Sequence, residues 1–131
     1  MEQETTRTDV TVGADDVVSI GGVPVLRGAA DGPLLDGERA ALDLIGEALG
    51  RAEVVAVPVS RIAPAFFALA TGVAGAVVQK FVNYRLRLVV VGAVTEHVAA
   101  STALRDFVRE ANRGGQTWFV ADEAELEARL R

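Results

Sequence analysis

Two short stretches constrain this chain most. Val54-Val55-Ala56-Val57-Pro58-Val59 and Leu86-Arg87-Leu88-Val89-Val90-Val91 are apolar along nearly their whole length and rich in β-branched residues. A half-exposed strand alternates polar and apolar residues, so a run without alternation reads as a strand covered on both faces. Such strands belong to parallel sheets, and parallel neighbours need a long crossover, usually a helix.

The intervening segments carry helical spacing. Over Glu38–Leu49, Leu42, Ile45 and Leu49 repeat at that spacing, Ala41 and Ala48 widen the face, and Gly50 supplies a stop. Pro64 suits the first turn of a long helix reaching to Tyr84, with Phe66, Leu69, Val73, Val77, Phe81 and Tyr84 as its apolar stripe. Ser101 fits the N-cap of a helix to Arg113 that buries Leu104, Phe107, Val108 and Ala111 and ends at Gly114-Gly115. Thr117–Val120 reads as a strand, and Glu123–Leu130 as a final helix.

Upstream, Val17–Ile20, Gly21-Gly22 and Val23–Leu26 form a β-hairpin pattern, since two glycines supply the positive φ angles of a tight turn. Val10 and Val12 suggest an earlier strand, and Gly28–Gly37, with Gly32 and Pro33, reads as a loop. The expected fold is α/β: a mixed, mainly parallel sheet with a hairpin start and about four helices. Residues 1–8 read as a frayed polar tail and residues 9–131 as a single domain.

Charge and composition narrow the partners. A net charge of −5 disfavours a nucleic-acid backbone or an anionic membrane. No apolar run approaches the roughly 20 residues of a membrane span. With no cysteine there is neither a disulfide framework nor a thiolate metal site. The polar, acidic start lacks an apolar signal core, so the expected compartment is the cytoplasm. No Walker or Rossmann motif occurs, so no cofactor and no metal are expected.

Laid out at 100° per residue, the Pro64–Tyr84 helix has a second flank of Thr71, Gly72, Gly75, Gln79 and Asn83, small and polar but uncharged. Mid-helix glycine costs about 1 kcal/mol relative to alanine. Gly72 and Gly75 therefore suggest close approach of another helix, a partner chain or a ligand. Gln79, Lys80, Asn83 and Tyr84 cluster near the helix end, suited either to a carboxylate or phosphate group or to capping. Asp106 and Glu110 share a helix face but run beside Arg105, Arg109 and Arg113, the pattern of a solvated, salt-bridged surface. Asn112 is expected in the C-cap of that helix. His97, the single histidine, sits in a short connection beside Glu96 with no nucleophile at a known spacing, which argues against catalysis. Trp118 and Phe119 must point to opposite faces of their strand.

Two resemblances accompany these residues. The element order resembles that of STAS domains, the fold of anti-sigma-factor antagonists, which implies helices largely on one face of the sheet. The phosphorylated antagonists carry an Asp-Ser-Ser-Gly-like turn after the third strand. Ser60-Arg61-Ile62-Ala63-Pro64-Ala65 occupies that place here and lacks the motif, so a phosphorylation switch does not carry over. Separately, Phe66–Gly75 continuing into Ala76–Tyr84, then Ser101, Leu104-Arg105-Asp106-Phe107, Glu110, Asn112-Arg113-Gly114 and Trp118-Phe119-Val120, resemble the bacterial family called domain of unknown function 4180. That resemblance implies a shared fold and site rather than a reaction. It also implies carboxylates, commonly Glu and Asp, where this chain has Ala76 and Ala93.

The leading expectation is a non-catalytic regulatory or protein-interaction module, docking a protein or a second copy of itself through the Gly72/Gly75 or the Arg105/Arg109/Arg113 face. The alternative is a small-molecule-binding protein or minor enzyme with a pocket near Gln79, Lys80, Asn83 and Tyr84, completed by Glu110.

Overall fold

The computed structural model describes residues 15–131, so the expected strand at Val10 and Val12 lies outside it. The described chain forms one five-stranded sheet in the order β1-β2-β3-β4-β5. Its strands are β1 (Asp16–Ile20), β2 (Val23–Arg27), β3 (Val54–Pro58), β4 (Arg87–Val91) and β5 (Thr117–Val120). The hairpin is present, with Gly21 and Gly22 at φ 59° and 83° and Val17 opposite Leu26. β2, β3, β4 and β5 are parallel. The sheet is therefore mixed and mainly parallel, as the unalternating runs require.

Six α-helices accompany the described sheet: α1 (Glu38–Ala48), α2 (Pro64–Phe67), α3 (Val73–Asn83), α4 (Thr95–Ala100), α5 (Thr102–Arg113) and α6 (Glu123–Leu130). Because parallel strands are added in chain order and crossovers are right-handed, the crossover helices gather on one face. There α1, α3 and α5 bury Ala41, Leu44, Ile45, Val77, Phe81 and Leu104 against Leu26, Val55, Val57, Leu88, Val90 and Phe119. The other face is packed by Leu126 of α6 on Ile20, Val25, Val54, Ala56, Val89, Trp118 and Val120.

Several expectations need correction. The single Pro64–Tyr84 helix is in fact α2, a 3-10 turn over Leu69–Thr71, and α3. Ala68 leaves the helical region, and Gly72 adopts a left-handed conformation at φ 83°. The Thr71 hydroxyl lies 2.7 and 2.8 Å from the Ala65 and Ala68 carbonyls and accepts from the Val73 amide. A hydroxyl that captures carbonyls of the preceding turn, followed by a glycine free to take positive φ, ends one helix and starts the next. Apolar spacing alone cannot see this, because the stripe continues across the break. In α1 the buried face is Ala41, Leu44, Ile45 and Ala48, while Leu42 and Leu49 are exposed. His97 lies within α4 rather than in a connection.

Candidate functional site

Helix α3 turns Ala74, Val77 and Phe81 toward the core. Its outward flank carries Gly75, Gln79, Val82 and Asn83, all exposed and all uncharged. Gln79 Nε2 donates to Asn83 Oδ1 at 2.9 Å, one turn apart. A Cβ added at Gly75 would meet nothing within 4 Å, so no part of the described chain requires glycine there. Gly72 is different: its glycine is explained by its own left-handed backbone, and its surroundings are likewise open. Thr71 is committed to the helix break. The neighbouring helix α1 adds exposed Leu42, Gly46 and Leu49, and Leu49 and Tyr84 meet in one depression.

The remaining sequence-derived candidates separate. Lys80 is half-buried in the last turns of α3. Tyr84, 45% exposed, lies beside Val54 and Arg87, the first residues of β3 and β4. It therefore stands at the N-terminal ends of the parallel strands, not at the carboxyl ends where open α/β sheets usually bind ligands. Glu110 makes an exposed ion pair with Arg113 at 3.6 Å, and Arg105 pairs with Asp106 at 3.3 Å. This is a solvated face, as its charge pattern indicated. Asn112 does not cap α5: its Oδ1 accepts from the Phe119 amide at 2.7 Å, and its carbonyl accepts from Arg129 at 2.6 Å. Because β5 is an edge strand, that side chain satisfies a backbone donor that would otherwise stay unpaired. His97 is exposed and stacks on Phe67 with centroids 3.9 Å apart and planes 11° off parallel. Trp118 donates its indole N–H to the Gly114 carbonyl at 2.7 Å and lies between the Arg87 and Arg129 guanidiniums, 4.2 and 4.1 Å from its centroid.

Sequence reasoning missed the most enclosed charge of the described residues. Arg61 follows β3 and is paired with Asp15 at 2.7 Å, their side chains only 4% and 7% exposed. Arg61 Nε donates to the Pro33 carbonyl at 2.8 Å, and Asp15 also accepts from the Ala29 amide at 3.0 Å. The loop between β2 and α1 wraps this guanidinium closely. A Cβ at Gly32 would stand 2.6 Å from Arg61 Cζ, and one at Gly28 would stand 2.8 Å from Nη1. Those loop glycines were the available signal, although nothing in the sequence says that an arginine fills the space beside them. Glu47 of α1 faces the pair. Its pKa is raised above the ordinary carboxyl value, first by partial burial, then by its hydrogen bond to Asp15 and by that residue's charge, against the opposing pull of Arg61 and Arg51.

No helix among the described residues is long and apolar enough to cross a membrane. Searches of curated proteins and of solved structures gave no match. A family model does match, over residues 20–130, and its description is "Domain of unknown function (DUF4180)".

Proposed function

The chain belongs to the DUF4180 family, and on that premise we propose that it is a non-catalytic regulatory or protein-interaction module with STAS-like topology, docking through the outward flank of α3. The supporting observation is the flank itself: Gly75, Gln79, Val82 and Asn83 are exposed and uncharged in a chain that is 24% charged. Desolvating an unpaired charge at an interface is costly, whereas glycine, valine and a satisfied amide pair can be buried cheaply. The one-sided layer of crossover helices supports the STAS-like reading. The flank sits on that layer, where a partner helix or a second copy can approach the α3 backbone at Gly75.

Size-exclusion chromatography with light scattering, together with affinity capture, tests this reading. Val82→Arg places a charge in the middle of the flank at an exposed position, so the fold is expected to survive. The wild-type chain is expected to associate, with itself or with a captured protein, and Val82→Arg to release it. A strictly monomeric chain that captures no partner, or an association indifferent to Val82→Arg, contradicts the proposal.

A further inference from the structure

At the lower end of the sheet, where β3 and β4 begin, lies an open depression of about 400 Å³. Its walls include Leu49, Glu53, Tyr84, Arg85, Arg87 and Gln116. Two features of this wall bear on what it can hold. The first is Arg85, the only described residue other than glycine with a positive φ, at 59°. The turn after α3 has the Arg85 amide bonded to the Val82 carbonyl and the Leu86 amide bonded to the Phe81 carbonyl. That pattern is a Schellman cap, whose left-handed position strongly favours glycine. Arg85 thus sets a cation on the wall of the depression at a backbone position that ordinarily takes glycine.

The second feature is Arg87. Its Nε donates to the Gly115 carbonyl at 2.6 Å and its guanidinium carbon lies over the Trp118 ring, 4.2 Å from the centroid. Trp118 is itself fixed through Gly114. The guanidinium is thus held in one orientation before any ligand arrives, which lowers the ordering cost of binding. Neither Arg85 nor Arg87 forms an ion pair among the described residues.

We propose that this depression is a binding site for a small organic molecule carrying one anionic group, a carboxylate or a phosphate, held between Arg85 and Arg87. The ligand's apolar or aromatic body rests on Tyr84 and Leu49. Two guanidiniums against the single Glu53 carboxylate leave the wall with one net positive side-chain charge, which matches one anionic group rather than a polyanion. Gln116 and Glu53 supply polar contacts for a neutral hydrogen-bonding substituent. This site adjoins the docking flank at Leu49 and Tyr84, but its anion is held by Arg85 and Arg87, which the flank on α3 does not use.

The test is an NMR titration of the full chain with benzoate, phenyl phosphate, inorganic phosphate and, as the uncharged control, benzamide. Benzoate or phenyl phosphate is expected to shift the Arg85, Arg87, Gly115 and Gln116 signals saturably, with benzamide at least ten-fold weaker. If inorganic phosphate alone reproduces the shifts, the aromatic body is not recognised, and the organic-anion proposal is overturned in favour of bare phosphate binding. Arg85→Gly removes one cation and relaxes the backbone. It should raise the melting temperature while weakening benzoate or phenyl phosphate binding at least ten-fold. Binding unchanged in Arg85→Gly, shifts centred elsewhere on the molecule, or no shift with either organic anion at millimolar concentration would overturn the site.

Discussion

Gly72 and Gly75 stand three residues apart in sequence, yet they should respond to alanine with opposite signs. Gly72 sits at φ 83° and ψ −4° at the N-terminal boundary of α3. A Cβ there meets no neighbour, so the penalty of Gly72→Ala is purely conformational, about 1–2 kcal/mol for an L-residue in the left-handed region. Gly75 lies inside the first turn of α3, again with open space around the site of a Cβ. Gly75→Ala therefore adds no clash and reduces the conformational freedom of the unfolded chain, a gain of about 0.5–1 kcal/mol. The two variants should differ by roughly 1.5–3 kcal/mol. With an m-value of about 1–3 kcal/mol/M in urea, their unfolding midpoints should separate by about 1 M. Urea titration followed by far-UV circular dichroism measures both. Stabilisation or destabilisation by both substitutions alike would refute the assignment of the helix break to Gly72, and with it the account of α2 and α3 as separate helices.

Two other perturbations address the enclosed arginine. Arg61→Ala leaves the Asp15 carboxylate buried without its partner, together with the Pro33 carbonyl, and should cost about 3–5 kcal/mol by denaturant unfolding; a loss below about 1 kcal/mol, the scale of a surface pair, would contradict its burial. Glu47→Gln tests the raised carboxyl. Because the folded pKa lies above the ordinary value of 4.5, protonated Glu47 contributes stability that is full below that value and is lost as pH rises through the folded pKa. The stability of the wild type minus that of Glu47→Gln should therefore fall as pH rises above about 4.5, and a difference that rises over that range would reverse the sign and refute the arrangement.

Much of the fold was legible because its determinants are local. The Val54–Pro58 and Arg87–Val91 strands announce themselves by lacking polar alternation, and Gly21-Gly22 marks the hairpin by backbone conformation alone. The Ser101 cap was equally readable, its hydroxyl accepting from the Leu104 amide at 3.1 Å. The break at Gly72 was not, because Phe66, Leu69 and Val73 keep helical spacing across it while the interruption is made by one threonine hydroxyl. The candidate site was read less well. Gln79 and Asn83 were correctly placed together, since residues four apart on a helix are neighbours. Arg61 with Asp15, and Arg87 with Trp118, depend on contacts between elements distant in sequence, which no spacing rule reveals. Asn112 looks like a helix cap because it stands before Arg113-Gly114-Gly115, but its partner is the edge of β5, known only once the strand order is known.

The docking flank is tested most directly by a photo-crosslinking amino acid placed at position 79, compared with one at position 105 on the solvated face of α5. In cells expressing the chain at native level, position 79 should give a discrete covalent adduct after irradiation, and position 105 should give none. Equal adducts from both positions, or none from position 79, would contradict the claim that the uncharged side of α3 is where this protein meets its partner.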